Sequence, residues 1–235
     1  MKTFKVLSLL LEYPPPELWE ALPEMRRILD VERLIPEPAR SGVYALIDDL
    51  EHTDVMEAQA TYVGLFDRGR HLSLHLFEHL IGESRDRGTA MVQLIEHYRA
   101  CGFELGAREL PDHVPLILEF LSRRTWSEAQ EMLGEAMPVL TLLGERLRQR
   151  DSRYGAVFEA LEAAIGPAEE ADQLRRMAAE EGPDETVTRM DEIWEEEQVT
   201  FMPGAGAGGC SPQEPATQPI QWVQRPGRPA AAAGQ

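Results

Sequence analysis

The chain has 235 residues, 43% hydrophobic and 27% charged, which is the composition of a folded globular protein. Its 41 acidic and 23 basic residues give a formal net charge of −18, so binding to nucleic-acid phosphates, which needs clustered lysine and arginine, is not expected. Cys101 and Cys210 form neither a CxxC motif nor a disulfide framework. Because the chain lacks a run of about 18 apolar residues and a signal-peptide pattern, we expect a cytoplasmic protein without direct membrane insertion.

Helix signals follow one another through the first 166 residues. Apolar residues recur at helical spacing, prolines and glycines fall at the expected ends, and alternating strand patterns are lacking. The predicted helices are 3–11, 16–29, 39–50, 54–66, 72–81, 86–101, 112–121, 125–147 and 152–165. The eighth is expected to be interrupted at Gly134 and Pro138. The sequence therefore predicts an all-α fold with a single multi-helix bundle domain.

Three helix starts carry a side chain that can accept a hydrogen bond from the first free amides. Asp54 precedes the fourth predicted helix, and Asp112 is expected to cap the seventh. Thr125 and Glu128 have the spacing of a capping box at the start of the eighth. These residues predict where the three helices begin.

The composition changes after Gly166. Residues 167–202 are strongly acidic and expected to be partly helical, with amphipathic patterns near Leu174 and Trp194. Residues 203–235 are rich in glycine, proline and alanine, and we expect them to form a disordered tail. The predicted organisation is a helical domain at 1–166, an acidic extension at 167–202 and a tail at 203–235.

Histidines recur at every fourth position in the fifth predicted helix, at His71, His75 and His79. On one helix face this spacing allows two imidazoles to bind one metal ion. A helical metal-dependent hydrolase that uses this face, with Glu78, Glu83 or Asp67, is therefore one alternative. However, the HExxH arrangement is missing and no distant ligand is identifiable. We favour histidines on a polar helix face and expect no metal or other cofactor.

The corner between the fourth and fifth predicted helices mixes aromatic, charged and glycine residues, as a binding groove does. Its motifs are YVxLFD at 62–67, SLxLxxH at 73–79 and GESRxRGxAM at 82–91. Together they resemble the nitrate reductase delta subunit, the NarJ family of molybdenum-cofactor assembly chaperones. A second block at 110–121, which contains Pro-Asp-His, resembles the wider TorD-like family of maturation chaperones for molybdenum enzymes. The resemblance covers about residues 1–202.

This resemblance implies a chaperone and not an enzyme. Its client would be the apo catalytic (alpha) subunit of nitrate reductase, bound through its N-terminal peptide while the molybdenum cofactor and iron–sulfur cluster are inserted and before membrane docking. A structural subunit that stays in the mature complex is a second alternative. We expect the client peptide to lie as an amphipathic helix in an acid-rimmed apolar groove. The candidate residues of this site are Tyr62, Phe66, Asp67, Leu76, His79, Glu83, Asp112, His113 and Glu119.

Overall fold

The computed structural model describes residues 1–81, 85–106 and 109–182. These residues form ten α-helices and no strand, which confirms the predicted all-α fold. The helices are α1 Lys2–Leu11, α2 Glu17–Glu32, α3 Ala39–His52, α4 Val55–Phe66, α5 Leu76–Leu80, α6 Arg85–Ala100, α7 Val114–Ser122, α8 Trp126–Gln149, α9 Gly155–Ile165 and α10 Ala171–Glu180. The candidate residue Glu83, the second amphipathic pattern of the acidic extension and the predicted tail lie outside the described residues.

Two apolar helices form the middle of the bundle. Seven of the ten residues of α1 are buried, and α1 packs against α2, α7 and α9. α7 is apolar on most of its surface and packs against α1. A helix that is hydrophobic nearly all round is stable only when covered on all sides. α8 forms a second layer, against which α5, α9 and α10 pack.

Two of the three predicted caps are present. The Asp54 carboxylate accepts a hydrogen bond from the amide of Met56 at 2.9 Å, and Thr125 with Glu128 forms a complete capping box at the start of α8. The prediction that Asp112 caps α7 is wrong, because the N-cap of α7 is His113 and no side chain caps this end. A proline in the first turn removes one of the amides that a cap would satisfy.

The prediction of a fifth helix at 72–81 is also wrong in its length, because α5 spans only Leu76–Leu80. Leu74 and Leu76 form backbone hydrogen bonds with residues 112–114, and His75 between them is extended. His71 lies in a turn before the bridge and His75 is the N-cap of α5. The three histidines consequently do not share one helix face, which was the geometric basis of the metal-site alternative.

The predicted interruption of the eighth helix does not occur, since α8 continues from Trp126 to Gln149. Pro138 cannot donate a hydrogen bond to the carbonyl of Gly134, but both residues are exposed, so water can bond that carbonyl. The opposite face of α8, which includes Met137 and Leu140, is buried and holds the helix on both sides of the proline.

The predicted amphipathic helix around Leu174 is present as α10, which packs on α8 through the buried Ala178. Arg146 of α8 and Glu181 form an ion pair with an Nε to Oε2 distance of 2.7 Å. The division of the chain at residue 166 stays a prediction. Within the described ranges, no helix combines the length and apolar character needed to cross a membrane.

Candidate functional site

The Pro-Asp-His stretch is paired with the segment that enters α5. The amide of Leu76 donates to the carbonyl of Asp112 at 3.1 Å, and the amide of Val114 donates to that of Leu74 at 2.9 Å. His75 and His113 therefore face each other across an antiparallel bridge, with ring centroids 5.0 Å apart. This bridge fixes α5 against the start of α7.

Asp112 is completely buried at this bridge. Its Oδ2 accepts a hydrogen bond from the amide of Phe77 at 3.0 Å, and its Oδ1 lies 3.3 Å from Nδ1 of His75. Burial alone would raise the pKa of Asp112, but the hydrogen bonds from His75 and Phe77 outweigh it and lower that pKa. The hydrogen bond with Asp112 also raises the pKa of His75, against the effect of burial. Asp112 is thus an anion that holds the first turn of α5.

The two other histidines near this bridge have lowered pKa values. Burial and the neighbouring charge of His75 lower the pKa of His113 to about 4. Burial also lowers the pKa of His79, whose Nε2 lies 2.8 Å from the backbone carbonyl of Ser73. Both imidazoles are therefore neutral at neutral pH, and His79 donates its Nε2 proton within the chain. A hydrogen bond from His79 to a client would have to replace this contact.

Tyr62 and Phe66 lie apart from the bridge, in the core between α1, α4 and α9. Each is 5% exposed, and their ring centroids are 4.9 Å apart. The Tyr62 hydroxyl donates to the carbonyl of Leu11 at 2.9 Å, and the Phe66 ring packs edge-on against Tyr154. Asp67, one residue further, is exposed. The predicted site residues are therefore distributed over more than one region, and the role of this region in client binding stays a prediction.

A cavity of about 340 Å³ lies between the end of α6, the loop that follows it, and α7. We call it the α6–α7 cavity. The buried rings of Tyr98 and Phe120 form its floor, and most of its other apolar side chains are half-buried. It is lined by Tyr98, Phe103, Glu104, Leu105, Gly106, Leu116, Glu119, Phe120 and Arg123. Among the predicted site residues, Glu119 lines this cavity.

The C-terminus of α6 builds one wall of the cavity. Gly102 has a φ of +80°, which a residue with a side chain rarely adopts, and reverses the chain. The amide of Phe103 then donates to the carbonyl of Tyr98 at 2.9 Å, as in a Schellman motif, and the Phe103 ring packs on Phe120 at 5.1 Å between centroids. The Tyr98 hydroxyl donates to the carbonyl of Pro111 at 2.8 Å. Tyr98 thus connects the cavity to the Pro-Asp-His bridge.

Negative charge collects at the rim of the cavity around Glu119. Its Oε1 lies 2.8 Å from Nζ of Lys5, and both side chains are partly exposed. Burial raises the pKa of Glu12; Lys5 opposes this rise, while Glu119 and Glu109 add to it. Around the cavity, the acidic residues Glu12, Glu104, Glu109 and Glu119 outnumber the basic residues Lys5 and Arg123. This excess of negative charge favours the approach of a cationic ligand.

Five aromatic and aliphatic residues of the cavity were missed as site residues in the sequence: Tyr98, Phe103, Leu105, Leu116 and Phe120. Their apolar character alone indicates a core as readily as a groove. The usable signal was Phe103, because an apolar residue directly after the terminal glycine of a helix commonly folds back on that helix. Within residues 1–81, 85–106 and 109–182, no group of three or more histidine, cysteine, aspartate or glutamate residues is arranged to hold a metal ion.

Comparison with known proteins identifies the family. Residues 17–160 match the family described as nitrate reductase delta subunit. The chain is 44% identical over 203 residues to the nitrate reductase molybdenum cofactor assembly chaperone NarJ of Escherichia coli strain K12, covering 86% of each chain. It is 40% identical to the probable assembly chaperone NarW of the same strain, covering 86% of this chain and 84% of NarW. A probable NarJ of Bacillus subtilis strain 168 is 29% identical, over 69% of this chain and 88% of that protein.

The family and the names of these relatives indicate an assembly chaperone and not an enzyme. The chain belongs to the nitrate reductase delta subunit family, whose relatives here are the NarJ-type molybdenum cofactor assembly chaperones. The resemblance to the nitrate reductase delta subunit seen in the motifs at 62–91 is thereby confirmed.

Proposed function

We propose that this chain is a cytoplasmic chaperone dedicated to the catalytic subunit of nitrate reductase. It binds the N-terminal segment of the apo subunit and keeps it from membrane docking while the molybdenum cofactor and the iron–sulfur cluster are inserted. The names of the relatives support the client and the process. The cofactor is cargo of the client, so the chaperone needs a surface for polypeptide and no reaction centre of its own.

The observation that carries the proposal is the α6–α7 cavity, which joins an apolar floor to an acidic rim. Its volume of about 340 Å³ lies within the range of small ligand pockets and accommodates apolar side chains from one helix face. Glu104 and Glu119 line the cavity, and Glu12 and Glu109 lie near Glu119. An amphipathic helix with basic residues beside its apolar anchors matches this arrangement. The bound segment is then unavailable to the membrane.

The contacts of this groove also favour release. Exposed ion pairs each contribute only about 0–1 kcal/mol, so most of the affinity comes from the apolar anchors. The Lys5–Glu119 pair is 38% and 43% exposed, which places it in this class. A chaperone has to give up its client once the cofactor is in place. A small apolar cavity with an exposed acidic rim suits reversible binding.

A calorimetric titration with a synthetic peptide of the client N-terminus tests the proposal through Leu116→Ala. Leu116 is a half-buried wall residue of the cavity, and its truncation is expected to weaken binding about tenfold, as for an apolar anchor contact. Leu174→Ala is the matched control, because Leu174 is equally half-buried but lies on α10, outside this cavity. Thermal unfolding followed by circular dichroism verifies that both variants are folded.

The outcomes separate the function from the site. Absence of binding to the wild type contradicts the proposed function. If Leu116→Ala binds the peptide as tightly as the wild type, the proposed function stands but the α6–α7 cavity is not the binding site. Asp67→Asn then tests whether the peptide binds at the corner after α4. A pull-down from a cofactor-deficient cell addresses the alternative of a retained subunit: the chaperone is expected with the apoenzyme, whereas recovery with the mature enzyme contradicts it.

A further inference from the structure

A second cavity, of about 280 Å³, shares Phe120 with the α6–α7 cavity. It lies between α7 and the first half of α8, and His97 of α6 borders it. Phe120, Leu121 and Met132 give it apolar walls. We call it the α7–α8 cavity. Because the Phe120 side chain, which is 4% exposed, borders both cavities, the two cavities are neighbours.

Three glutamates of α8 line this cavity, and they differ in what they contact. Glu128 accepts hydrogen bonds from the amide and hydroxyl of Thr125, at 2.9 and 2.6 Å, and pairs with Arg124. These contacts lower the pKa of Glu128 to about 2. The side chains of Glu131 and Glu135 form no hydrogen bond or ion pair with any residue in the described part of the chain. They are four residues apart on one helix, where like charges repel each other.

One cationic side chain of the protein already lies at this cavity, beside an aromatic ring and a carboxylate, which are the groups that a cationic ligand would contact. The guanidinium carbon of Arg124 lies 5.6 Å from the centre of the Phe120 ring, while the guanidinium pairs with Glu128. An aromatic face and a carboxylate together favour a cation. Among the three glutamates, Arg124 forms an ion pair with Glu128 alone. The carboxylates of Glu131 and Glu135 therefore leave two more negative than positive charges at the α8 edge of the cavity.

We propose that the α7–α8 cavity is a specificity site for a basic side chain of the client segment, whose charge lies between Glu131 and Glu135. This inference rests on the proposed function, since it extends the client groove across Phe120. Residues three or four apart lie on the same face of a helix. A client helix with an apolar residue in the α6–α7 cavity therefore presents the residue one turn away to α8. The cavity selects clients that carry lysine or arginine at that position.

The test uses the full chain with Glu131→Gln and Glu135→Gln together, titrated with the same synthetic client peptide. Loss of two exposed ion pairs is expected to weaken binding about five- to tenfold. The matched control is Glu169→Gln with Glu170→Gln, an equal change in net charge at exposed positions before α10. A second peptide carries glutamine in place of the basic residues.

If the two glutamates contact the basic residue directly, the effects of the protein variant and of the peptide variant on the binding free energy do not add. The glutamine peptide is expected to bind the wild type more weakly and to lose little further affinity with the Glu131 and Glu135 variant. Added salt is expected to weaken the wild-type complex more than the variant complex. If the Glu131 and Glu135 variant binds the peptide as tightly as the wild type, the specificity site is overturned and the proposed function stays in place. The same follows if the Glu169 and Glu170 control loses as much affinity as that variant. Failure of the wild type to bind overturns both.

Discussion

Replacement of Asp112 by alanine is expected to destabilise the fold by about 2–4 kcal/mol. The Phe77 amide, 3.0 Å from Oδ2, loses a hydrogen bond to a charged acceptor, which is worth about 1.5–3 kcal/mol. The contact with Nδ1 of His75 is longer, 3.3 Å, and is expected to add about 1 kcal/mol or less. The first turn of α5 is then held at the bridge only by the backbone hydrogen bonds. The perturbation therefore tests whether Asp112 holds α5 in place.

Asp112→Asn separates the hydrogen bond from the charge. The amide oxygen can still accept from Phe77, so we expect a loss of about 1–2 kcal/mol, smaller than for alanine. Because Asp112 raises the pKa of His75, the stability from this pair is fully present below the ordinary histidine pKa of 6.5. It is lost as the pH rises through the folded-state pKa. The difference between wild type and Asp112→Asn should therefore be larger at about pH 6 than at about pH 9.

Urea unfolding monitored by circular dichroism measures these differences in the free energy of unfolding. An NMR titration of His75 adds a local readout, since its pKa should fall in Asp112→Asn. The reasoning is refuted if Asp112→Ala is as stable as the wild type. Equal differences at the two pH values, with an unchanged His75 titration, would show that the two side chains do not interact as a charged pair.

Two further comparisons test packing in the core. Tyr62→Phe removes a buried hydrogen bond to the carbonyl at the end of α1 and is expected to cost about 1 kcal/mol. Tyr154→Phe should cost less, since the described residues offer the Tyr154 hydroxyl no hydrogen bond. Gly144→Ala would place Cβ 2.9 Å from a phenylalanine of α9 and should cost about 1–3 kcal/mol, whereas Gly134→Ala, with open space, should stabilise α8 by about 0.5–1 kcal/mol. Urea midpoints check both pairs, and a reversed order within either pair contradicts its explanation.

Local sequence signals predicted most of the helices. Asp54 and Thr125 cap the helices that follow them because the donor and acceptor are two or three residues apart. The central place of α7 was recognisable because its apolar residues occur on nearly all sides. In each case the interacting groups belong to one short segment, so the rest of the fold hardly changes the result.

The errors occurred where a distant partner decides the local structure. Asp112 lies one residue before the N-cap of α7, and its carboxylate is bound by Phe77 and His75, which lie 35 and 37 residues away. The same bridge keeps His75 extended and shortens α5. In α8, burial of one face outweighs the local effect of Pro138. Helix periodicity contains no information about these tertiary contacts.

The candidate site was harder to predict than the fold. The predicted residue Glu119 lines the α6–α7 cavity, but this cavity exists because Gly102 reverses the chain and brings Phe103 onto Phe120. Glu131 lies on the polar face of α8, which in sequence resembles any solvated helix face. The role proposed for Glu131 depends on the Phe120 ring, which both cavities share. The two cavities lie next to each other because three helices pack together at this ring.

The Pro-Asp-His stretch is best understood as a positioning element for this groove. Asp112 is completely buried and so has little surface for a client, but the adjacent Pro111 carbonyl accepts the hydroxyl proton of Tyr98. Tyr98 in turn packs on Phe120, with 4.7 Å between ring centroids, and forms the floor of the cavity. The buried acid therefore affects the groove through two intervening residues, by fixing the start of α7 and with it the ring that both cavities share.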